Sequence, residues 1–476
     1  MKIGIIGGSF DPFHLGHKRI INETISKLNL DKMLIMPTKH NPWKDDCVAN
    51  DKQRIAMIHL TMEGNKQYEI SRIELDNPTN EKNYTIDTIK TLKQLYPSDE
   101  LYFIMGMDQA SQFDKWKCAQ EISQEVQLVA FGRVGYQINE NINTYHFKFI
   151  ETKETDESST ALKKGKRNVV DKKVLMYAFR HGLYLENFVR KYMSKKRFDH
   201  TCSVAKLARK FANCNGVDGT KAYIAGMLHD IAKEMDRDEE MHLMKEYYPQ
   251  FVLKPRPIYH QWLSTYLAKK DFYIEDEAIL QAITNHTTAS MEMSKLDMCV
   301  YCADKLDPLR GYDSSKQIAL CKEDILEGFK GELVNFYNFS KEKNRDIDEC
   351  FLMYIKSIVK EIVMNKLKTI VKVLDEKLAN DITVIDMSID SPICDYFVIA
   401  SASNERLLLA LKDHIEEACD KEGYFVKNIE GRKNSKWILM DYGDIIVHLF
   451  DTEERKNYGI EKLWSDKPVI SIEDIL

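Results

Sequence analysis

The sequence predicts a multidomain protein. A Rossmann-like α/β domain with a parallel sheet is followed by an all-α domain and by a small α/β domain with a mixed sheet. Two observations lead to this prediction. The 476 residues are too many for one ordinary core, at roughly 150 residues per domain. Strand and helix patterns alternate at both ends of the chain, whereas strand signals disappear between about 186 and 363. The predicted domains are therefore 1–185, 186–363 and 364–476.

Composition and charge restrict the class of protein. The chain is 44% hydrophobic and 30% charged, as globular proteins are, and no apolar run approaches the roughly 20 residues that span a bilayer. The start, MKIGIIGGSF, has no signal-peptide pattern, so we expect a cytoplasmic protein without a membrane partner. The ten cysteines are scattered, which excludes a disulfide framework, and we expect Cys299 and Cys302 to be half-buried thiols on a helix. A net charge of -6 argues against broad nucleic-acid binding by electrostatics alone.

The first domain shows the alternation of a parallel α/β sheet. Short apolar runs separated by amphipathic stretches indicate strands and intervening helices. The predicted strands are 3–7, 32–37, 101–106 and 127–132, and the predicted helices are 16–28, 52–63 and 85–95.

The string GGSFDPFHLGH, residues 7–17, joins the first strand to the first helix. Gly7 and Gly8 let backbone N–H groups approach an anion, and the following helix directs its positive dipole end to the same place. Two imidazoles, His14 and His17, flank a glycine in the pattern HxGH and can stabilise charge on a leaving pyrophosphate. The string is neither the Rossmann GxGxxG nor a Walker motif, so it predicts a different kind of phosphate-chain site.

Together with YTIDT at 84–88, GMD at 106–108 and ESST at 157–160, this string resembles bacterial nicotinate-nucleotide adenylyltransferases over roughly 1–185. The resemblance implies that the phosphate of nicotinate mononucleotide attacks the α-phosphate of ATP in line. No covalent enzyme intermediate forms, and Mg²⁺ neutralises the phosphates. Positioning and electrostatics then supply nearly all of the catalysis.

The resemblance also implies the site residues, with His14 and His17 as the catalytic pair. Lys163 stands where the family has arginine, and it loses the bidentate fork, so we expect weaker ATP binding rather than inactivity. The ring of Trp116 can stack on the pyridine, although a core role for it stays open. The implied ATP contacts are Gly7, Gly8, Ser9, Phe10, Ser159, Thr160 and Lys163, and the implied mononucleotide contacts are Lys44, Thr85, Asp108, Trp116 and Arg133.

The middle domain carries imidazoles and carboxylates that suit a divalent metal centre. Iron or manganese accepts such ligands, and a carboxylate can bridge two ions. A centre of this kind lowers the pKa of bound water and makes hydroxide available to attack phosphorus. Helices are predicted over 223–235 and 277–285. The candidate ligands are His200, His229, Asp230, His260, His286 and Asp304.

The strings KRFDHTCSVAKLA, AGMLHDIAKE, ITNHTTA and CADKLDP resemble the HD-superfamily diadenosine tetraphosphate hydrolases. The resemblance implies symmetrical cleavage to two ADP at a dinuclear centre, with iron expected first and manganese as the alternative. Arg197, Lys233 and Arg310 are candidates for phosphate contacts, and solvated surface roles for them stay open. The chain after Arg310 departs from the family pattern, which leaves the rim of this pocket undetermined.

The last domain is predicted to contain strands over 382–386, 396–400, 437–440 and 445–450, with a hairpin turn at 441–444. The strings LDEKLANDITVIDM, DYFVIASASNER and KWILMDYGDIIVHLFDTEER resemble the ribosomal silencing factor family. This resemblance implies binding to the large ribosomal subunit through a ribosomal protein, which blocks subunit joining. The side chains of Tyr396, Asp441, Tyr442 and Asp444 either meet a basic protein surface or form the turn and the core, while His414 and His448 are expected to be structural.

Two functions follow from these patterns. The first is an adenylyltransferase joined to a metal-dependent dinucleoside polyphosphate hydrolase and a ribosome-binding silencer. The second is a translation regulator whose upstream domains sense nucleotides with little turnover. The complete phosphate string and the metal-ligand set favour the enzymes, and Lys163 and the altered rim stand against them.

Overall fold

The computed structural model describes residues 1–39, 48–77, 84–133, 140–152, 159–343, 349–388, 393–431 and 435–476. Lys44 therefore lies outside the described residues, and for Arg133, Ser159 and Lys163 only the backbone is described. The chain separates into two compact units, Met1–Phe329 and Lys330–Leu476. The first unit contains both the predicted α/β domain and most of the predicted all-α domain, whose boundaries stay predictions.

The first unit begins with a six-stranded parallel sheet in the order β3-β2-β1-β4-β5-β6. The predicted strands and helices are confirmed, whereas β3 and β6 were not predicted because they are short and partly polar. Its elements are β1 (Lys2–Gly8), α1 (Leu15–Leu28), β2 (Lys32–Pro37), α2 (Asp51–Met62), β3 (Tyr68–Ile70), α3 (Thr85–Leu95), β4 (Glu100–Gly106), α4 (Met107–Ala110), α5 (Ala119–Glu125), β5 (Gln127–Arg133), α6 (Glu140–Thr144), β6 (Lys148–Thr152) and α7 (Ser159–Lys163).

Both faces of this sheet are covered by buried apolar side chains. Ile3 and Ile5 belong to the core on one face, and Ile6 belongs to the core on the other face with Phe13 and Ile21. A strand that is buried on both sides reads as a continuous apolar run, as Ile3–Ile6 does here. The chain proceeds from β1 outward to β3 and then returns to β4 on the other side of β1. This reversal leaves a crevice at the carboxyl ends of β1 and β4.

The helical part of the chain, 172–343, which the structure describes without a gap, forms no strand, and the first unit ends within its last helix. Gly226 allows close packing of two of its helices, because a Cβ there would lie 2.7 Å from Cα of Ala205. Its helices are α8 (Lys172–Arg180), α9 (Leu185–Val189), α10 (Lys195–Cys214), α11 (Gly219–Leu228), α12 (Arg237–Tyr247), α13 (Tyr259–Phe272), α14 (Glu277–Asn285), α15 (Lys295–Lys305), α16 (Ser315–Glu323) and α17 (Ile325–Glu342).

One predicted helix is too long. The pattern over 223–235 predicted a continuous helix, but α11 ends at Leu228 and the chain continues in turns. The residues that follow, His229 and Asp230, are both buried, with exposed fractions of 0% and 3%. Adjacent residues of a helix project about 100° apart, so leaving the helix lets both side chains enter one polar cluster. Cys299 and Cys302, by contrast, are fully buried on α15 rather than half-buried as expected.

The second unit is a mixed sheet in the order β12-β7-β8-β11-β10-β9, as predicted for the last domain. Only the β8–β11 pair is parallel among the pairs of this sheet. Its elements are α18 (Glu349–Glu376), β7 (Asn380–Asp386), β8 (Tyr396–Ala402), α19 (Glu405–Lys421), β9 (Asn428–Glu430), β10 (Trp437–Asp441), β11 (Ile445–Asp451), α20 (Thr452–Tyr458), α21 (Ile460–Leu463), β12 (Val469–Ile470) and α22 (Ile472–Ile475).

The predicted hairpin joins β10 and β11, and Gly443 occupies the left-handed region with φ 92°. The N–H of Gly443 donates to Oδ1 of Asp441 at 2.6 Å, and Nζ of Lys366 donates to Oδ1 of Asp444 at 2.5 Å. Tyr396 and Tyr442 are buried. These four side chains therefore form the turn and the core, rather than an exposed partner surface.

His448 is structural, as expected. Its side chain is buried on β11, and its Nδ1 accepts a hydrogen bond from Nε1 of Trp437 at 3.3 Å. Burial lowers the pKa of His448 to about 4, which keeps the ring neutral near pH 7. Among the described residues, no helix has the length and apolarity that crossing a bilayer requires.

Candidate active sites

The glycine turn opens into a cavity of about 430 Å³ at the carboxyl ends of β1, β4 and β5. This place is the crevice at which the strand order reverses, where α/β sheets of this kind bind ligands. Helix α1 begins at Leu15, so its positive dipole end lies beside the turn. The predicted residues that line the cavity are Gly7, Gly8, Ser9, Phe10, His17, Asp108 and Trp116.

The two histidines of the HxGH string lie against each other. Their ring centroids are 3.6 Å apart and the ring planes differ by 26°. The backbone N–H of His14 donates to Nδ1 of His17 at 3.2 Å. Since Nδ1 accepts, the neutral ring of His17 carries its proton on Nε2 and can donate that proton to a phosphate oxygen.

Two further residues, which the sequence patterns did not single out, support the turn. The guanidinium of Arg54 is 1% exposed, and its Nη1 donates to the carbonyl oxygen of Ser9 at 2.7 Å. The carboxylate of Asp11 accepts from the N–H groups of Val48 at 2.7 Å and Ala49 at 3.1 Å. Asp11 lies within the phosphate string and could have been noticed there, whereas an arginine in a helical pattern normally indicates a solvated face.

On the other side of the cavity Trp116 is packed in the core and also borders the cavity, and its stacking on a pyridine ring stays a prediction. Its ring packs against Phe113 at 5.3 Å and Phe103 at 6.3 Å between centroids, and it also lines the cavity. Asp108 lies at the start of α4, and a Cβ at Gly106 would lie 2.4 Å from its Oδ1, so the side chain of Asp108 keeps this position only beside a glycine. Thr85 is half-buried at the first residue of α3 and does not line the described cavity.

The remaining predicted contacts of this site lie at its edges. Thr160 is exposed in α7, whose backbone also includes Ser159 and Lys163, and the backbone of Arg133 ends β5. Lys44 is outside the described residues. The roles assigned to these side chains, that of Thr160 included, stay predictions.

The second site gathers all six predicted metal ligands in one buried cluster. His200 comes from α10, His260 from α13 and Asp304 from α15. His229 and Asp230 follow the end of α11, and His286 follows the end of α14. Two sets of ligand atoms each fit within 4.8 Å, and they share His229: His200, His229 and Asp304, and His229, Asp230 and His286.

The backbone orients three of these imidazoles in the same way. Nδ1 of His229 lies 2.7 Å from the carbonyl oxygen of Gly226, and Nδ1 of His286 lies 2.6 Å from that of Ile283. Nδ1 of His260 is likewise 3.0 Å from the carbonyl oxygen of Pro257. Because a carbonyl only accepts, each ring donates from Nδ1 and turns the lone pair of Nε2 into the cluster, as metal-binding histidines do.

The cluster fits a divalent cation. Among the described residues, none forms a hydrogen bond with the buried Nε2 of His229, which lies 3.5 Å from Oδ2 of Asp230 and 3.8 Å from Oδ1 of Asp304. The Nε2 atoms of His260 and His286 are 3.1 Å apart, so two lone pairs converge there. An orphaned buried acceptor such as Nε2 of His229 is costly without a cation. Nitrogen and carboxylate donors together suit iron or manganese.

Electrostatics keep Asp230, Asp304 and His229 in the protonation states that bind a metal. Burial opposes the charge on Asp304, but Lys305 and His200 hold the pKa of that carboxyl well below its usual range. Burial likewise opposes the charge on Asp230, and the surrounding imidazoles, His229 first, hold its pKa well below the usual range. Burial lowers the pKa of His229 to about 4. Both carboxylates are therefore charged and His229 is neutral near pH 7, the forms that bind metal.

His200 differs from the other imidazoles because it bridges two carboxylates. Its Nε2 lies 3.1 Å from Oδ1 of Asp304, and its Nδ1 lies 2.5 Å from Oδ2 of Asp307. Burial alone would lower its pKa, but the two carboxylates outweigh burial and raise it to about 9. Asp307, which also accepts from Oγ of Ser203 at 2.5 Å, orients the ring of His200 through its Nδ1. It lies in the string CADKLDP, where its role could not be separated from a turn residue.

The three predicted phosphate contacts all lie at this cluster. Arg197 Nη1 is 2.8 Å from Oδ2 of Asp230, and Arg310 Nη2 is 2.6 Å from Oδ1 of Asp304. Lys233 Nζ lies 3.2 Å from Nε2 of His260. A fourth cation, Lys305, was not predicted, and its Nζ lies 3.0 Å from Oδ2 of Asp304. The cluster is therefore ringed by cations that can meet a polyphosphate.

Comparison with known proteins gives three family matches along the chain. A cytidylyltransferase-like model matches 5–165, an HD domain model matches 197–309, and a model for the ribosomal silencing factor during starvation matches 360–476. These matches confirm the nucleotidyltransferase, HD and ribosomal silencing factor resemblances read from the sequence.

Individual relatives match one or two of these parts. A Mycoplasma genitalium protein named "Probable nicotinate-nucleotide adenylyltransferase/Ap4A hydrolase" is 30% identical over 351 residues, which are 72% of this chain and 99% of the relative. The nicotinate-nucleotide adenylyltransferase of Bacillus subtilis is 32% identical over 190 residues, 38% of this chain and 98% of that protein. A solved HD superfamily hydrolase from Clostridium acetobutylicum is 24% identical, covers 37% of this chain and 96% of its own, and has a TM-score of 0.34, too low to support a functional argument.

Replacing His229 tests the metal cluster. We expect His229→Ala to lose most of the bound iron or manganese, because the lost Nε2 belongs to both ligand sets. His242→Ala is the matched control, since the side chain of His242 is 74% exposed on α12 and lies 3.3 Å from the carboxylate of Glu246, away from the cluster. Metal content is measured by mass spectrometry after purification with added metal. Equal metal content in the two variants would exclude the cluster as the binding site.

Proposed function

This chain belongs to the family of nicotinate-nucleotide adenylyltransferase/Ap4A hydrolases, and we propose that it carries out three linked functions. The domain at 1–185 transfers AMP from ATP to nicotinate mononucleotide and releases pyrophosphate. The domain at 186–363 cleaves diadenosine tetraphosphate into two ADP. The domain at 364–476 binds the large ribosomal subunit and prevents subunit joining. The observation that carries the first function is the cavity shared by the glycine turn and Trp116.

In the first domain the chain supplies orientation and charge. The N–H groups after Gly7 and the start of α1 face the phosphates of ATP, and Nε2 of His17 donates to the phosphoryl oxygens that gain charge as pyrophosphate leaves. His14 fixes the ring of His17 through its backbone N–H. Trp116 presents its face to the pyridine ring and Asp108 meets a ribose hydroxyl. Mg²⁺ bound to ATP neutralises the phosphates.

Loss of the His17 donor tests this assignment. We expect His17→Asn to lower kcat by about 100-fold, because one preorganised donor to a developing charge is removed. His146→Asn is the control, since His146 is exposed after α6 and does not line the cavity. Formation of nicotinate adenine dinucleotide and pyrophosphate from ATP and nicotinate mononucleotide is followed by chromatography.

Each result of that assay has a defined meaning. If the wild-type protein releases no pyrophosphate above background, the alternative function as a nucleotide sensor replaces the enzyme. If the wild type is active and His17→Asn equals it, the role of His17 is wrong. Comparing nicotinate with nicotinamide mononucleotide in the same assay establishes the preferred substrate.

In the second domain two ions, iron first and manganese as the alternative, would be held by His200, His229, Asp230, His260, His286 and Asp304. Such a centre supplies hydroxide from bound water at neutral pH. Arg197, Lys233 and Arg310, joined by Lys305, neutralise and orient the tetraphosphate beside the cluster. Each of the two ligand sets contains a carboxylate, Asp304 in one and Asp230 in the other, and a dinuclear centre is proposed because a carboxylate can bridge two ions, whereas Nε2 of His229 can bind only one.

The products of hydrolysis test the specificity of this domain. We expect diadenosine tetraphosphate to give ADP as the only nucleotide, whereas AMP with ATP would contradict symmetrical cleavage. Lys233→Gln is expected to lower kcat/KM by about tenfold or more while bound metal is retained, since one charged phosphate contact is lost. Lys245→Gln, on the exposed face of α12, is the control. An equal rate for the two variants would remove Lys233 from the site.

For the third domain the family match over 360–476 and the mixed sheet support ribosome binding. The ring of Tyr458 is 55% exposed and lies 5.1 Å from that of Trp437, which is half-buried. Phe397 and Trp464 continue the aromatic side of the sheet, with centroids 5.9 Å apart. Aromatic rings that are partly exposed in this way are the usual anchors of a protein interface. We therefore place the ribosomal-protein contact on this side of the sheet.

Sedimentation with isolated ribosomal subunits tests this placement. We expect Tyr458→Ala to weaken binding to the large subunit by about tenfold or more, because truncating an interface anchor typically costs that much affinity. Phe425→Ala is the matched control, since its ring is 69% exposed outside the aromatic side. Binding of the wild type to the small subunit alone, or equal binding of both variants, would contradict the proposal.

A further inference from the structure

We propose that Tyr184 is a positioning residue for adenylyl transfer and makes the ATP site depend on the segment that leads into the hydrolase domain. Tyr184 lies 173 residues after Asp11, and its hydroxyl donates to Oδ1 of that aspartate. The family match of the transferase ends at residue 165, so Tyr184 lies beyond it. The inference rests on the proposed binding of ATP at the glycine turn.

The turn needs support from outside itself. Phe10 adopts φ 47°, a left-handed conformation that a side chain with a Cβ rarely takes. Such a conformation persists only where neighbours determine it, and it is found at ligand-binding turns. Ser9, before it, is held by Arg54 through its carbonyl oxygen, and Asp11, after it, is held through its carboxylate. Phe10 therefore lies between two residues, Ser9 and Asp11, that are each held by a hydrogen bond.

Asp11 connects three separate parts of the chain. Its Oδ2 accepts from the N–H of Val48 and its Oδ1 accepts from the N–H of Ala49, just before α2. The same Oδ1 accepts from Tyr184. Without the tyrosine hydroxyl, the donors that hold this carboxylate, among the described residues, are the two N–H groups just before α2. The turn could then shift relative to α1, whose N-terminal end must face the same phosphates.

Tyr184 is itself held by the helical part of the unit. It is buried, adopts φ 59°, and caps the beginning of α9. Two residues later, Oε1 of Glu186 accepts from the hydroxyl of Tyr223 on α11 at 3.1 Å. The hydroxyl of Tyr184 therefore has little freedom, and it presents a preorganised donor to the turn.

Removing one hydroxyl in the full-length chain tests the inference. We expect Tyr184→Phe to raise the KM for ATP, with kcat/KM for ATP falling about tenfold, because the lost donor served a charged acceptor. The KM for nicotinate mononucleotide should change less, since Trp116 and Asp108 are positioned by β4 and the residues after it. A purely structural role would lower thermal stability and would not separate the two KM values.

The chain offers a matched control. Tyr192 also donates its hydroxyl to an aspartate, Oδ2 of Asp271 at 2.8 Å, in the same part of the chain but without a contact to the turn. Tyr192→Phe should therefore leave both KM values unchanged, whatever it does to the melting temperature. Asp11→Asn is a second variant, and it should reproduce the effect on the KM for ATP.

The outcomes separate this inference from the proposed function. An inactive wild type overturns the proposed adenylyl transfer. An active wild type with equal KM values for ATP in Tyr184→Phe, Tyr192→Phe and the wild type overturns the role of Tyr184 alone. A higher KM for ATP in Tyr184→Phe and Asp11→Asn, but not in Tyr192→Phe, supports it.

Discussion

The position of β1 in the middle of its sheet is the constraint on which the first site depends. With β2 on one side and β4 on the other, the chain after Gly8 enters the crevice where the strand order reverses. Backbone N–H groups, the start of α1 and the ring of His17 then face one cavity without long side chains having to reach it. The charge that binds phosphate comes largely from the fold itself.

At the second site the charge comes from side chains instead of the backbone, and these side chains lie on, or directly after, five helices. Each imidazole that donates from Nδ1 to a carbonyl three residues earlier is held rigidly by its own backbone. The helices can converge so closely in part because Gly226 removes a Cβ that would meet Ala205. Four cations around two buried carboxylates then balance the cluster and prepare it for a polyphosphate.

The segment that connects the two sites belongs neither to the phosphate string nor to the metal-ligand set. The guanidinium of Arg167 lies 5.2–5.8 Å from the rings of Phe179, Phe188 and Phe272, and it donates to the carbonyl oxygen of Asp271. A cation enclosed by aromatic rings and bonded to α13 joins the end of the sheet domain to the helical bundle. This packing agrees with the grouping of Met1–Phe329 as one compact unit.

The sequence by itself determined the order of fold classes, the strands from β1 to β5 except β3, the phosphate string and the six candidate metal ligands that the fold brings together. These features depend on short sequence motifs or on hydrophobic periodicity, so residues close together in the sequence reveal them. It could not determine where α11 ends, or that Arg54 and Tyr184 contact the phosphate string and Lys305 and Asp307 contact the histidine–aspartate cluster. It also left open whether Tyr396 and Tyr442 are core residues. Only the tertiary structure decided these points, because each depends on a contact between residues far apart in the chain, and such contacts leave no periodic trace in the residues themselves.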